Sequence, residues 1–173
     1  MQLDLRAVIE QPGAAVPFSY RLHLPDMDFP FGRPFAQPID ASGRVKNTAG
    51  LLTLEAVLST TLHLTCDRCV RAYTEEMALP VVLTLAETLT EETDDEILPV
   101  QGDRVDLDEA LIPPLILSME TKHLCFEDCR GLCPRCGHDL NDGPCKCPRE
   151  IDPRLSALQA YFVESNPPPR AVQ

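Results

Sequence analysis

The chain of 173 residues is 44% apolar and carries 27 acidic against 15 basic side chains, a formal net charge of −12. Residues 1–109 hold 19 acids and 8 bases (−11) and residues 110–173 hold 8 and 7 (−1), which together give the −12. So acidic a chain lacks the Lys/Arg surface that displaces phosphate counterions, and this argues against an extended electrostatic grip on nucleic acid.

The length predicts one main domain, and nine aromatic residues with no Trp predict a modest core. The opening MQLDLRAVIEQPG has no basic start followed by an apolar run, so no secretory signal is read there. No apolar run approaches the roughly 20 residues of a membrane span. The expectation is a cytoplasmic protein with no membrane partner. There its eight cysteines stay reduced, and clustered thiols more often hold a metal than pair as disulfides.

In chain order, QLDLRAV and IDASGRVKNTAG each predict a strand, the second with a turn into Leu51. The stretch FPFGRPFAQP (29–38), rich in proline, reads as irregular. Leu52, Leu54, Ala56, Leu58, Leu62, Leu64 and Cys66 share one parity. Thr53, Glu55, Ser59, Thr61, His63 and Thr65 share the other. This is the period of a long strand with one buried face and His63 on the solvent side. After CDRC a second such run places Tyr73, Met77, Leu79, Val81, Leu83 and Leu85 on one parity, and the two make an antiparallel hairpin with Cys66 and Cys69 at its tip. The acidic stretch ETLTEETDDEILPVQGD (87–103) reads as a solvated linker. In VDLDEALIPPLILSME (105–120), Asp106 or Asp108 is placed to cap a helix with Leu111, Leu115 and Met119 on its apolar face. Pro113 and Pro114 predict that this helix is kinked or starts late. Near the end, EIDPRLSALQAYF predicts a helix capped by Asp152, with Pro153 at its first position and Leu155, Leu158 and Phe162 on one face.

Six more cysteines fall as Cys125-x3-Cys129, Cys133-x2-Cys136 and Cys145-x-Cys147. CPRCG has the form of a zinc knuckle, a tight turn that aims backbone amides at thiolates. Cys133, Cys136, Cys145 and Cys147 therefore form a self-contained four-thiolate candidate, whose weak point is the single residue between the last two. Cys125 and Cys129 remain as the natural partners of Cys66 and Cys69. A reduced pair or redox dithiol is the alternative for Cys66 and Cys69, and His123 and His138 are alternative ligands. Eight thiols in two tetrads predict two Zn2+ ions, since structural zinc is four-coordinate. Each four-thiolate site is formally −2, which takes the chain to about −16 and leaves its sign unchanged.

Catalytic readings fare badly. The His-x-Glu of a zinc deaminase is absent, Cys66-x2-Cys69 lies between strands instead of in a βαβ unit, and there is no phosphate loop and no HExxH helix. Neither an enzyme nor a small-molecule substrate is expected. The fold class predicted is α+β: mainly antiparallel β-sheet with a long hairpin, a few short helices and a zinc-stapled cysteine-rich C-terminal segment. Its expected parts are an antiparallel β domain (1–86), an acidic linker (87–104), and a segment (105–163) holding the helix, the zinc-binding cysteines and a C-terminal helix packed on the β domain. A disordered tail follows (164–173).

The order of Cys-x2-Cys on a hairpin, acidic linker, apolar segment, CRGLCPRCGHDLN and DPRLSALQ resembles the YceD family over roughly residues 40–162, and within it the cysteine-rich branch. The members of that family are named large ribosomal RNA subunit accumulation proteins. The resemblance implies a bacterial, cytoplasmic, non-enzymatic factor supporting large-subunit ribosomal RNA levels or ribosome assembly. Its partner would be ribosomal RNA or a basic ribosomal protein. Around the thiols, Lys122, Arg130, Arg135, Lys146, Arg149 and Arg154 are matched by Glu127, Asp128, Asp139, Asp142, Glu150 and Asp152, so any RNA contact must be local, through Arg130 and Arg135. An acidic surface equally suits a basic protein. Two other classes stay open: a zinc-stapled interaction adaptor unrelated to ribosomes, and a thiol redox sensor that loses zinc on oxidation.

Overall fold

The computed structural model describes residues 1–24, 29, 32–86, 97–100, 102–148 and 154. The element order is β1 (Gln2–Asp4), α1 (Arg6–Ile9), β2 (Ala15–Leu22), β3 (Ile39–Thr48), β4 (Leu51–Thr65), β5 (Ala72–Ala86), β6 (Ile97–Pro99), β7 (Arg104–Asp106) and α2 (Leu107–Leu117). Strands β2-β3-β4-β5-β6 form one sheet and β1-β7 a second, two-stranded one. Every pairing is antiparallel except the short β5–β6 contact. The chain divides into two compact units, Met1–Cys129 and Arg130–Gln173.

The period-two pattern becomes the long hairpin. β4 and β5 pair without a break from Leu52↔Leu85 to Thr65↔Ala72. Leu52, Leu54, Ala56, Leu58, Leu62 and Leu64 are buried, while His63 is exposed. Pro80 sits inside β5 at no cost to the ladder. Ala86 turns its carbonyl toward β6, where it accepts from the Val100 N–H at 2.9 Å. By alternation Pro80 points its N the same way, away from β4, so its missing N–H removes no bond to that strand.

The buried face of the sheet packs against α1, β7 and α2, with Leu5, Val8, Val105, Leu107, Leu111 and Leu115 joining the strand residues in one core. The QLDLRAV strand is shorter than expected. Only Gln2–Asp4 is extended, and from Arg6 the chain is helical, because Leu5 and Val8, three apart, both reach the core. Residues 15–22, for which no strand is predicted above, form β2 with Val16, Phe18, Tyr20 and Leu22 alternating inward. Within the span expected as acidic linker, Ile97–Pro99 joins the sheet and Val100 is buried. Residues 87–96 lie outside the described residues.

Of the two forms expected for this helix, kinked or late-starting, α2 corrects the late start. It begins at Leu107, and the Asp106 carboxylate accepts the Asp108 N–H at 2.9 Å. It then runs through Pro113 and Pro114, where the carbonyls of Glu109 and Ala110 lose their i+4 donors. A proline inside a helix costs roughly 3 kcal/mol. Each fully buried leucine contributes about 1.5–3 kcal/mol and a good cap about 1. Leu107, Leu111 and Leu115 are fully buried, so the three leucines and the cap are of the size needed to offset both prolines. Met119 falls beyond the helix. The predicted helix at Asp152–Phe162 and the tail 164–173 lie outside the described residues, apart from Arg154. Among the described residues no helix is long and apolar enough to cross a membrane.

Candidate metal centres

All eight cysteines are free thiols, and their sulfurs gather into two groups: Cys66, Cys69, Cys125 and Cys129, and Cys133, Cys136, Cys145 and Cys147. Within each group the four sulfurs lie within 4.8 Å of one another. The Cys66–Cys129 and Cys69–Cys125 sulfurs are 3.7 and 3.6 Å apart. A tetrahedral metal–thiolate centre with bonds near 2.3 Å sets its sulfurs about 3.8 Å apart. The donor set and spacing therefore fit one four-coordinate metal ion in each group.

Both groups are built on the same turn. After β4, the Cys66 N–H donates to the Arg71 carbonyl and the Val70 N–H to the Cys66 carbonyl, each at 2.9 Å. In the second unit the Cys133 N–H donates to His138 at 2.8 Å and the Gly137 N–H to Cys133 at 2.9 Å. The fifth residue of each turn is left-handed, Val70 at φ 59° and Gly137 at φ 70°. This winding directs backbone N–H groups at the first sulfur. Burial pushes the Cys66 thiol up, but the N–H groups of Cys125, Cys69 and Arg68 prevail and bring it down to about 6. The N–H groups of Cys136 and Arg135, with the Cys145 thiol, bring Cys133 to about 6 as well. Burial and the neighbouring Cys69 and Cys66 sulfurs push Cys125 up to about 12. The Cys136 sulfur, then burial, does the same to Cys147. Each tetrad thus ionises one thiol readily and resists the last. Four crowded thiolates need a cation among them.

The first tetrad draws on two distant pieces of chain, and the groups that join them are not ligands. The Asp67 N–H donates to the His123 carbonyl at 2.9 Å, and the His123 N–H donates to Asp67 Oδ2 at 2.7 Å. Arg68 Nη1 donates to the Cys129 carbonyl at 2.7 Å. His123 is buried and His138 exposed, and neither side chain is in a donor group among the described residues. Both residues take part in the turns through their backbone groups.

The second tetrad is local. Asp139 Oδ1 accepts the Asn141 N–H at 2.9 Å, and Asn141 Oδ1 accepts the Arg130 N–H at 2.7 Å. The Leu140 N–H donates to the Gly131 carbonyl at 2.9 Å. The supporting roles of Asp67, Arg68 and Asn141 are missing from the sequence reading. Asp and Asn two apart in HDLN was the available signal, as an Asx-turn. Cys145-x-Cys147 converges because the chain bends at Lys146. Burial differs between the tetrads. Cys66, Cys69 and Cys129 are buried in the first, whereas the second has Cys133 buried, Cys145 and Cys147 half-buried and Cys136 exposed.

Comparison with known proteins bears on the same residues. An uncharacterized protein of Mycobacterium tuberculosis is 30% identical over 125 residues, covering 69% of this chain and 60% of that protein, and one of Mycobacterium bovis matches equally. The chain thus spans about 60% of the length of these relatives. A chloroplastic protein of Arabidopsis thaliana, named large ribosomal RNA subunit accumulation protein YCED homolog 1, is 25% identical over 153 residues, covering 71% of this chain and 46% of that one. No solved structure matches. The family described as large ribosomal RNA subunit accumulation protein YceD matches residues 54–161, which take in most of β4, all of β5 and α2, and all eight cysteines. With more than half of its length so matched, the chain belongs to the YceD family.

Proposed function

We propose that this protein is a non-enzymatic accessory factor of ribosome biogenesis. It acts in the cytoplasm, supports the accumulation or processing of large-subunit ribosomal RNA, and holds two structural zinc ions. The observation that carries the reading is the pair of four-sulfur groups in a chain of a family described by ribosomal RNA accumulation. Zinc suits four thiolates in a tetrahedron, and a centre closed by four protein ligands keeps no open position for substrate chemistry. The eight cysteines Cys66, Cys69, Cys125, Cys129, Cys133, Cys136, Cys145 and Cys147 would then be ligands, and their work is to hold a surface in shape. A net charge of −12 favours a basic ribosomal protein as the direct partner, with RNA contact confined to Arg130 and Arg135.

Two measurements test this. Elemental analysis of protein purified without added zinc should give about two zinc ions per chain, and sedimentation of lysate should place the protein with large-subunit precursors. Zinc near zero with all thiols freely titratable overturns the metal reading. Absence from the precursor fractions, with unchanged large-subunit RNA on depletion, overturns the ribosomal one.

A further inference from the structure

The two tetrads offer the same donors in different surroundings. In the first, three of the four cysteines are buried, and the sulfurs come from the hairpin tip and from Cys125–Cys129. The two segments are tied by the reciprocal Asp67–His123 bonds and by Arg68 on the Cys129 carbonyl. Opening this centre means separating a loop from a 15-residue strand. In the second, all four donors fall between residues 133 and 147, and no described helix or named strand runs through them. Cys136 is the one exposed cysteine of the eight, with three other sulfurs within 4.8 Å of its own. Thiol oxidation follows access to a thiolate and a nearby resolving thiol. The second tetrad combines the two more fully, since the most accessible cysteine of the first, Cys125, is half-buried rather than exposed.

We infer that the second tetrad is a site of reversible oxidation by hydroperoxides, with Cys136 as the residue attacked. The inference rests on the zinc reading above. The Cys136 sulfur attacks the distal peroxide oxygen and the O–O bond breaks, giving a sulfenic acid and water, or an alcohol from an organic hydroperoxide. A second thiol of the tetrad then displaces hydroxide from that sulfur, forming one disulfide and a second water. Two thiols lose two electrons and the peroxide gains them. With two of four donors gone the metal leaves, and a dithiol reductant with zinc restores the centre. The first tetrad keeps its ion, and the sheet stays folded.

The test uses the full chain as purified, treated with hydrogen peroxide. Zinc release is followed with a colorimetric chelator, and the oxidised cysteines are mapped by differential alkylation and mass spectrometry. The expected result is one zinc equivalent leaving at least about tenfold faster than the other, with oxidation confined to residues 133–147 and unchanged far-ultraviolet circular dichroism. Cys136→Ser should abolish the fast phase while the first centre keeps its zinc. Two equivalents leaving together, or oxidation appearing first at Cys66, Cys69, Cys125 or Cys129, overturns the inference and leaves the zinc reading standing. A chain with no zinc before peroxide overturns both.

Discussion

Val70 and Gly137 occupy the same position in two copies of one turn. Each is the residue after the second cysteine, each donates its N–H to the carbonyl of the first cysteine at 2.9 Å, and both are left-handed, at φ 59° and 70°. Glycine holds that conformation freely. Valine, branched at Cβ, does so at a cost of roughly 1–2 kcal/mol. Its side chain recovers little, being 66% exposed.

Val70→Gly should therefore stabilise the protein. Relief of the left-handed strain exceeds the roughly 0.5–1 kcal/mol by which glycine favours the unfolded chain, leaving a net gain of about 0.5–1 kcal/mol. The reciprocal change, Gly137→Ala, meets no atom within 4 Å of the new Cβ, so its loss of about 1 kcal/mol comes from the backbone alone. Denaturant midpoints of the metal-loaded proteins measure both. A lower midpoint for Val70→Gly sinks the strain account.

Gly43 is needed for a different reason. A Cβ there would lie 2.2 Å from the Glu55 carbonyl oxygen, 2.7 Å from the Ala56 Cα and 2.9 Å from the Phe18 ring. Phe18 faces Gly43 across β2–β3, and Ala56 faces it across β3–β4. Two of the three obstructing atoms are backbone and cannot swing aside, so Gly43→Ala should destabilise by about 1–3 kcal/mol or more. A urea midpoint within error of the parent rules this packing out.

Asn47 is buried at 4% exposure. Its Nδ2 donates to the Val8 carbonyl at 2.8 Å, and its Oδ1 accepts the Gly50 N–H at 2.8 Å. One side chain thereby ties α1 to the β3–β4 turn. Asn47→Ala leaves both backbone groups without that partner and should cost about 1–3 kcal/mol. Asn47→Asp should cost more, because a carboxylate would face the Val8 carbonyl. A loss of stability equal in the two variants would contradict the assignment of Nδ2 to Val8.

The elements legible in the sequence are those whose signal is periodic. Fifteen residues of alternation define β4, and the same parity in Tyr73–Leu85 defines β5. Strand β2 carries the same alternation at Val16, Phe18, Tyr20 and Leu22. Pro17 argues against a strand there, yet β2 lies at the sheet edge, where proline is tolerated. The parallel pairing of Ile97–Pro99 is three residues long and has no local signature. For α2 the local rule gave way to burial, since the prolines act on two hydrogen bonds and the leucines on the whole core. Thiol spacing separated the two tetrads correctly. It could not supply Asp67, Arg68 or Asn141, because a group that orients a ligand through the backbone need not keep a fixed distance from it in sequence.

Those supporting groups should act on one centre each. Asp67 Oδ2 holds the His123 N–H beside the first tetrad, and Asn141 Oδ1 holds the Arg130 N–H beside the second. Loss of such a partner typically weakens a metal site by about 10–100-fold. Competition with a chromogenic chelator should show Asp67→Ala weakening one of the two metals and Asn141→Ala the other. In the double variant each metal should weaken by the same factor as in its own single variant. If either single variant weakens both metals alike, the centres are coupled.

The two centres should hold together different stretches of chain. The first tetrad joins Cys66 and Cys69 to Cys125 and Cys129, across 63 positions of sequence between Cys66 and Cys129. A metal closing so long a loop would be part of the folding energy of the first unit, as structural zinc in small peptides contributes on the order of 10 kcal/mol. Cys69→Ser removes a donor whose sulfur lies 3.6 Å from that of Cys125. Hydrogen exchange should then quicken at the 66–71 turn and also at residues 120–129, about fifty positions further along the chain. Cys136→Ser opens a centre whose donors are all local, so exchange should quicken between residues 130 and 148 and stay as before at the hairpin tip. Unchanged protection around Cys125 and Cys129 in Cys69→Ser would mean that the Asp67–His123 and Arg68–Cys129 bonds suffice to hold the loop. Cys66 and Cys69 would then be a dithiol that needs no metal.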